Sequence, residues 1–183
     1  INTPYDILPQ LHFETEKSLP LGFAARLRGE FTSFDRSLDE AALSPTLVNN
    51  GALVTGERIN LEPEISWSAD TPGWFVRANA KYKYAQYQLE NQALATMENP
   101  DIGVGIFNVD AGLVFERTLA TGSMTQTLEP RIYYLYSEFE DQSMLPLFDT
   151  AELNFSFNQL FRDDRFSGGD RIADANQVTA ALT

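Results

Sequence analysis

Apolar and polar side chains alternate with a period of two residues along most of this 183-residue chain. The clearest run lies between residues 58 and 67, where Ile59, Leu61, Ile65 and Trp67 are separated by polar neighbours. A period of two places successive side chains on opposite faces of a β-strand. Because the pattern recurs in about seven segments, the sequence predicts an all-β fold, an antiparallel meander of about seven long strands.

The predicted connections alternate in length. Short turns follow the first, third and fifth strands, with residues 70–73 and 120–123 as examples, whereas long loops follow the second, fourth and sixth. This asymmetry is typical of outer-membrane barrels, and strands of about 9–11 residues suffice to cross the membrane. Trp67 and Trp74 flank one short turn, as expected of an interfacial aromatic girdle. A soluble antiparallel barrel or sandwich alternates in the same way with its apolar face turned inward, so the pattern leaves both folds open.

The two strand faces carry different chemistry. In a membrane barrel the apolar face would contact lipid through Ile65, Trp67, Val76, Ala78, Leu113 and Ile132. The opposite face would line a hydrated lumen, where basic groups are suited to lipid phosphates or sugar carboxylates. The predicted lumen-facing path consists of Arg26, Arg28, Arg58, Glu62, Glu64, Arg77, Lys81, Lys83, Asp110, Glu129 and Arg131.

Three prolines interrupt the predicted strands, at Pro9, Pro63 and Pro130. Proline has no backbone N–H to donate to a β-ladder, so we expect a bulge or a weakened pairing at each position.

Composition narrows the function classes. The net charge of −13, from 26 acidic and 13 basic residues, argues against a nucleic-acid partner. The absence of cysteine excludes disulfides and cysteine-ligated metals within this chain. The single histidine, His12, shares a polar face with Gln10 and Glu14, and Asp163 and Asp164 lack calcium-loop spacing. We therefore expect no catalytic residues, no metal and no cofactor, and a protein that is not an enzyme.

Residues 138–171 form a predicted long extracellular loop with too many large apolar side chains to remain in water. Its acidic and basic residues are expected to form ion pairs that fold the loop inward or attach it to a partner, and Asp170 and Arg171 are placed to pair at the barrel rim. The only helix predicted, a short one, lies within residues 151–161. The residues expected to order the loop or contact a partner are Asp141, Gln142, Ser143, Phe161, Arg165, Gly168, Gly169, Asp170, Arg171 and Asn176.

Several motifs of the last third resemble the LptD family of outer-membrane lipopolysaccharide-assembly proteins. The resemblance rests on Thr127-Leu128-Glu129-Pro130-Arg131, the Tyr-Leu-Tyr that follows, Asp141-Gln142-Ser143, Phe166-Ser167-Gly168-Gly169-Asp170-Arg171-Ile172 and Asn176-Gln177. It implies that the whole chain, residues 1–183, is one partial barrel unit, an internal section of a large β-barrel truncated at both ends.

The resemblance also implies a function and partners. It implies lipopolysaccharide transport into the outer leaflet of a Gram-negative outer membrane, by guidance through a polar lumen without chemistry. The implied partners are the plug lipoprotein LptE, outer-membrane lipids, lipopolysaccharide and a periplasmic transport bridge reached through a jellyroll domain that this chain lacks. The competing readings are a soluble or surface β-barrel or sandwich binding module, and a general porin-like channel.

Overall fold

The computed structural model describes residues 4–39, 41, 43–49, 51–91, 99–119 and 124–183. Within these ranges the chain forms nine strands: β1 (Asp6–Ser18), β2 (Phe23–Asp35), β3 (Thr55–Asp70), β4 (Trp74–Glu90), β5 (Asp101–Leu113), β6 (Phe115–Thr118), β7 (Thr125–Leu128), β8 (Pro130–Ser137) and β9 (Ala175–Leu182). Seven of them make one sheet in the order β1-β2-β3-β4-β5-β8-β9. All its neighbours are antiparallel, which confirms the predicted all-β meander.

The strand register places the predicted lumen-facing residues other than Glu129 on one face of this sheet. Arg28 on β2 lies opposite Glu62 on β3, and Glu64 on β3 lies opposite Lys81 on β4. The other face is apolar and exposed, with Ile65 49% and Ile132 52% accessible. We call the polar face the inner wall and the apolar face the outer face.

Each in-strand proline coincides with an irregularity in pairing. The β1–β2 register shifts between Ile7 and Gln10, around Pro9. The β3–β4 ladder omits Glu62 and Pro63 but resumes in the same register. Pro130 begins β8 directly after a break in the strand. These three sites are the bulge, the weakened pairing and the interruption that a missing N–H produces.

Two predicted strands are each divided in the structure. The fifth was predicted from residue 105 to 117 and the sixth from 127 to 136, but β6 and β7 form a separate two-stranded sheet. At the division the Val114 N–H donates to the Gly73 carbonyl at 2.8 Å, and Glu129 and Thr183 exchange backbone hydrogen bonds. The chain therefore continues to follow β4 and β9, while the β6–β7 hairpin leaves the main sheet.

In the part of the chain that the structure describes, helical structure is limited to short segments. Residues Phe157–Phe161 form a 3₁₀ helix within the range where a short helix was predicted, and the short α-helix α1 (Pro45–Asn49) was not predicted. No helix among the described residues is long and apolar enough to cross a membrane. The turn predicted at 120–123 and residues 92–98 of the loop after the fourth strand lie outside the described residues.

The hydrophobic core lies between the inner wall and the long connection from β8 to β9, residues 138–174, which we call the cover segment. Leu145 and Ile172 of the cover segment pack with inner-wall side chains that are at most 6% exposed. These wall residues are Ala85, Tyr87, Ile102, Val104, Ile106, Tyr133 and Leu135. Burial of each large apolar side chain stabilises this arrangement by about 1.5–3 kcal/mol before ordering costs.

Candidate functional site: the inner wall and its cover segment

An ion-pair ladder crosses the inner wall from β1 to β4. Arg26 lies 2.6 Å from Glu16 and 3.7 Å from Glu64, measured from guanidinium nitrogen to carboxylate oxygen. Arg28 lies 2.7 Å from Glu62, and that carboxylate also lies 3.6 Å from the Lys81 ammonium. Antiparallel register puts Arg26 opposite Glu16 and Glu64, and Arg28 opposite Glu62, whereas Lys81 reaches Glu62 diagonally, so the ladder follows from the alternation of the strands.

The other predicted lumen residues are paired more locally. Arg131 forms a two-point contact with Asp110, with nitrogen–oxygen distances of 2.8 and 2.7 Å. Arg77 lies 2.6 Å from Asp70 near the short turn between β3 and β4. Glu129 is exposed in the break between β7 and β8, so it belongs to no inner-wall strand.

A buried cluster around Arg58 joins the cover segment to the wall. The Arg58 side chain is 1% exposed and donates to Asp170 at 2.6 Å, to Asp149 at 2.7 Å and to Glu30 at 2.9 Å. The Tyr87 hydroxyl donates to Asp170 at 3.1 Å. The predicted Asp170–Arg171 pair was therefore wrong, since Asp170 reaches a strand residue 112 positions away.

The two aspartates that share Arg58 differ in proton affinity. Burial raises the pKa of Asp170, and the nearby Asp149 charge adds to this, although the Arg58 charge and backbone hydrogen bonds oppose it. Burial also raises the pKa of Asp149, but hydrogen bonds from Arg58 and its charge outweigh burial and hold this pKa below its usual range. Two close carboxylates commonly divide in this way, with one ionising more readily than the other.

Hydrogen bonds between side chains and the backbone fix the two ends of the cover segment to each other. The Gln142 side chain bonds the Ile172 backbone twice, at 2.8 and 2.9 Å. Arg171 donates to the carbonyl oxygens of Leu145 and Pro146 at 2.9 and 3.1 Å. These contacts satisfy backbone acceptors that would otherwise be buried without partners.

The paired glycines of the cover segment permit a close approach to the wall. Gly168 has φ +70°, and a β-carbon there would lie 2.5 Å from an Asp149 carboxylate oxygen. A β-carbon on Gly169 would lie 2.5 Å from the Asn60 side-chain nitrogen and 2.7 Å from the Arg58 guanidinium carbon. Side chains at either position would displace the Arg58 cluster.

Residues 157–164, which we call the strap, lie across the middle of the wall. At one end Leu160 accepts a hydrogen bond from the Thr179 hydroxyl of β9 at 3.0 Å. Arg131 of β8 stacks over the Phe161 ring with 3.9 Å to its centroid. At the other end Asp163 and Asp164 reach the strand β4, which they contact through two lysines.

The strap aspartates are held by these lysines. Lys81 lies 2.5 Å from Asp163 and Lys83 lies 2.6 Å from Asp164, measured between ammonium nitrogen and carboxylate oxygen. Burial raises the pKa of Asp163, but the Lys81 charge and hydrogen bond, with the Lys83 charge, outweigh it and hold the pKa below its usual range. Each of the seven predicted lumen cations thus lies within 4.0 Å of a carboxylate.

The remaining predicted cover-segment residues take different positions. Asp141 accepts a hydrogen bond from the Ser143 backbone at 2.9 Å, which lowers its pKa. Arg165 lies 4.0 Å from Asp174, and both side chains are 57% exposed. Asn176 lies on the outer face of β9, where it accepts a hydrogen bond from the Tyr134 hydroxyl at 3.3 Å.

Among the described residues, no group of three or more histidine, cysteine, aspartate or glutamate side chains is arranged to hold a metal ion. A cavity of about 250 Å³ lies beside the cover segment. Its lining includes His12, Glu14, Arg28, Asn60, Lys83 and Arg171.

Sequence reasoning missed part of the acidic side of the site. It did not single out Asp149 or Asp163 as partners of wall cations, because such pairings over long sequence separations leave no local pattern. One signal was present in β5, where Ile102, Val104 and Ile106 are apolar on the face that is polar elsewhere. A strand that is apolar on both faces indicates that another part of the chain covers it.

Comparison with known proteins places this arrangement in a family. A family model described as LptD, LPS transport system D, matches residues 1–183. LPS-assembly protein LptD of Nitrosospira multiformis is 40% identical over 187 residues, covering 100% of this chain and 19% of that protein. The LptD proteins of Methylococcus capsulatus and Pseudomonas aeruginosa are each 37% identical and cover 99% of this chain.

The chain spans 17% of the Methylococcus protein and 22% of the Pseudomonas protein, so it corresponds to about a fifth of these relatives. The match nevertheless extends over every strand of the sheet and over the cover segment. This chain belongs to the LptD family.

Proposed function

We propose that this chain is a section of the wall of an outer-membrane β-barrel that delivers lipopolysaccharide to the outer leaflet. The name of its relatives, LPS-assembly protein, supports the substrate. One structural observation carries the proposal: an apolar outer face lies directly opposite an inner wall of paired charges. An exposed apolar face of this extent is suited to lipid, and the charged wall to a hydrated lumen.

In this proposal the inner wall guides an amphiphilic substrate without chemistry. Sugars and phosphates contact the polar wall, and acyl chains are kept away from it because charged groups are costly to desolvate. The cover segment lies at the extracellular end, and the short turns lie at the periplasmic end. The parent protein is expected to work with the plug lipoprotein LptE and a periplasmic bridge that supplies lipopolysaccharide.

The test uses the full-length parent in its own bacterium. Depletion should reduce newly made lipopolysaccharide at the cell surface, and the parent should fractionate with the outer membrane. A parent that stays monomeric in buffer without detergent would overturn the membrane proposal. Unchanged surface lipopolysaccharide after complete depletion would overturn the transport proposal.

A further inference from the structure

The strap contacts the inner wall far along β4 from the Arg58 cluster. From Tyr87, which contacts the Arg58 cluster, to Lys81 is six residues along β4, or about 20 Å at the rise of a strand. Lys81 is the eighth of the 17 residues of β4. A segment that joins β8 to β9 therefore reaches the midpoint of β4, which lies two positions from β8 and three from β9 in the sheet.

At its β4 end the strap contacts the inner wall through ion pairs. Lys81 and Lys83 point from the same strand face, and each is paired with one of two consecutive aspartates, Lys81 with Asp163 and Lys83 with Asp164. Lys81 is 6% exposed and its partner Asp163 33%, whereas Lys83 is 21% exposed and its partner Asp164 10%, so bulk water screens each pair less than a fully exposed pair.

We propose that Lys81 and Lys83 form a phosphate-binding site that Asp163 and Asp164 occupy when the strap lies against the inner wall. We call this arrangement the seated strap. The inference rests on the proposed function, since it assigns to these lysines the phosphate groups of the transported amphiphile. Two aspartate carboxylates on adjacent lysines present anionic oxygens where phosphate oxygens would bind.

Exchange of the strap aspartates for a phosphate would allow the strap to leave the lysines and return. Breaking a buried ion pair by removing one partner is strongly destabilising, because a buried charge is left alone. A phosphate that replaces an aspartate keeps the lysine paired through charge-assisted hydrogen bonds, so this cost is avoided. The incoming anion thus releases the strap without leaving Lys81 or Lys83 uncompensated.

The composition of the cover segment favours displacement over joint occupancy. Residues 138–174 contain nine acidic and three basic side chains. A phosphate beside the seated strap would meet a net negative segment at a partly buried site, where like charges repel more strongly than in bulk water. Anion binding at the lysines and seating of the strap therefore exclude each other.

The first experiment measures the reactivity of the two lysines in the full-length parent. An amine-reactive reagent, read by peptide mass spectrometry, should label Lys81 and Lys83 several-fold faster in the Asp163→Asn/Asp164→Asn variant than in the wild type. Inorganic pyrophosphate should slow that labelling in the variant. The exposed Asp101 provides the control, because Asp101→Asn should label as the wild type does.

Labelling that stays at the wild-type rate in the double variant would overturn strap occupancy of the site. Faster labelling that pyrophosphate leaves unchanged would overturn the assignment of the lysines to phosphate.

The second experiment locks the strap and leaves both lysines intact. Residues 1–183 contain no cysteine, so within this section Leu160→Cys/Thr179→Cys supplies the thiols that a short bifunctional reagent joins, linking the strap to β9 where the two residues are in contact. Joining should stop lipopolysaccharide delivery. The control Arg117→Cys/Gln126→Cys joins two contacting residues of the separate β6–β7 hairpin, and it should deliver normally.

Normal delivery by the joined 160–179 variant would overturn the strap proposal and leave the proposed function standing. If the unjoined variants and the wild type also fail to deliver lipopolysaccharide, the proposed function itself is wrong. The lysine-labelling experiment does not depend on delivery, so it still tests the anion site in a variant that assembles but does not transport.

Discussion

At the scale of single residues, Arg58 is the main link between the sheet and the cover segment. Its guanidinium is surrounded by Asp149, Asp170 and Glu30, and the Tyr87 hydroxyl and two backbone N–H groups complete the bonding of Asp170. Gly169 lies against this cluster with no room for a β-carbon. Such a buried cation with several partners fixes the position of the cover segment more than it adds to the free energy of folding, because desolvation of the charges offsets much of their attraction.

Replacing Asp170 by alanine should weaken the attachment of the cover segment to β3, which Asp149 alone would then maintain through Arg58. The change removes one partner of a side chain that is 1% exposed, and we expect a loss of roughly 3 kcal/mol, near the lower end of the range for broken buried pairs since two acids remain. Limited proteolysis of the assembled parent measures this as faster cleavage within residues 138–174. The exposed Glu152 gives the control Glu152→Ala, and equal cleavage of the two variants would contradict the role of Asp170.

Seating of the strap should withstand mild acid. Because the pKa of Asp163 is held below its usual range, its contribution is present above the ordinary carboxyl pKa of about 3.9 and is lost only as pH falls through the depressed value. Lys81, which also lies 3.6 Å from Glu62, and Lys83, which holds Asp164, are the charged groups that face Asp163 from β4. Spin labels at residues 158 and 107 should keep their separation from pH 7 to pH 5, and release of the strap within that window would contradict the pairing.

At the scale of elements, the alternation of the strands predicted which residues share a face of the sheet, except for Glu129, which lies between two strands. A period of two leaves only two assignments, and the ion-pair ladder from Arg26 to Lys81 confirms which residues share a face. The same reasoning did not find α1, and it did not divide the strands at Val114 and Glu129, because these breaks depend on hydrogen bonds to Gly73 and Thr183. Pairing of Arg58 with Asp170, 112 residues apart, is likewise a tertiary property.

A charge on the outer face should be costly in the membrane. We expect Ile65→Arg to destabilise the assembled parent by roughly 2–4 kcal/mol if residue 65 lies near the membrane midplane. The neighbouring change Ser66→Arg points into the inner wall and should cost little. Denaturant unfolding in lipid vesicles compares the two variants, and equal costs would contradict the assignment of faces.

Removal of residues 145–161 should impair assembly of the barrel. The deletion takes away Leu145 and Asp149, so the apolar wall residues Val104 and Leu135 lose their cover and Arg58 loses a partner. We expect less folded parent in the outer membrane and less surface lipopolysaccharide in proportion. Normal amounts of protease-resistant barrel with lost transport would show that the segment acts on the substrate path and is dispensable for folding.

At the scale of the whole molecule, the chain is an open sheet with an apolar face, a charged face and a segment folded onto the charged face. The free edges are β1 and β9. Edges of this length pair with further strands when a sheet closes into a barrel. Family membership over residues 1–183 agrees with such a section, since the chain corresponds to about a fifth of its relatives.

Aqueous cysteine labelling of the parent in outer membranes tests the central claim most directly. Single cysteines at positions 77 and 131 of the inner wall should react with a membrane-impermeant reagent, because they face a hydrated lumen. Cysteines at 65 and 132 on the outer face should be protected by lipid. Reaction at 65 and 132 with protection at 77 and 131 would contradict the account, because the apolar face would then be in water and the charged wall would not line a lumen.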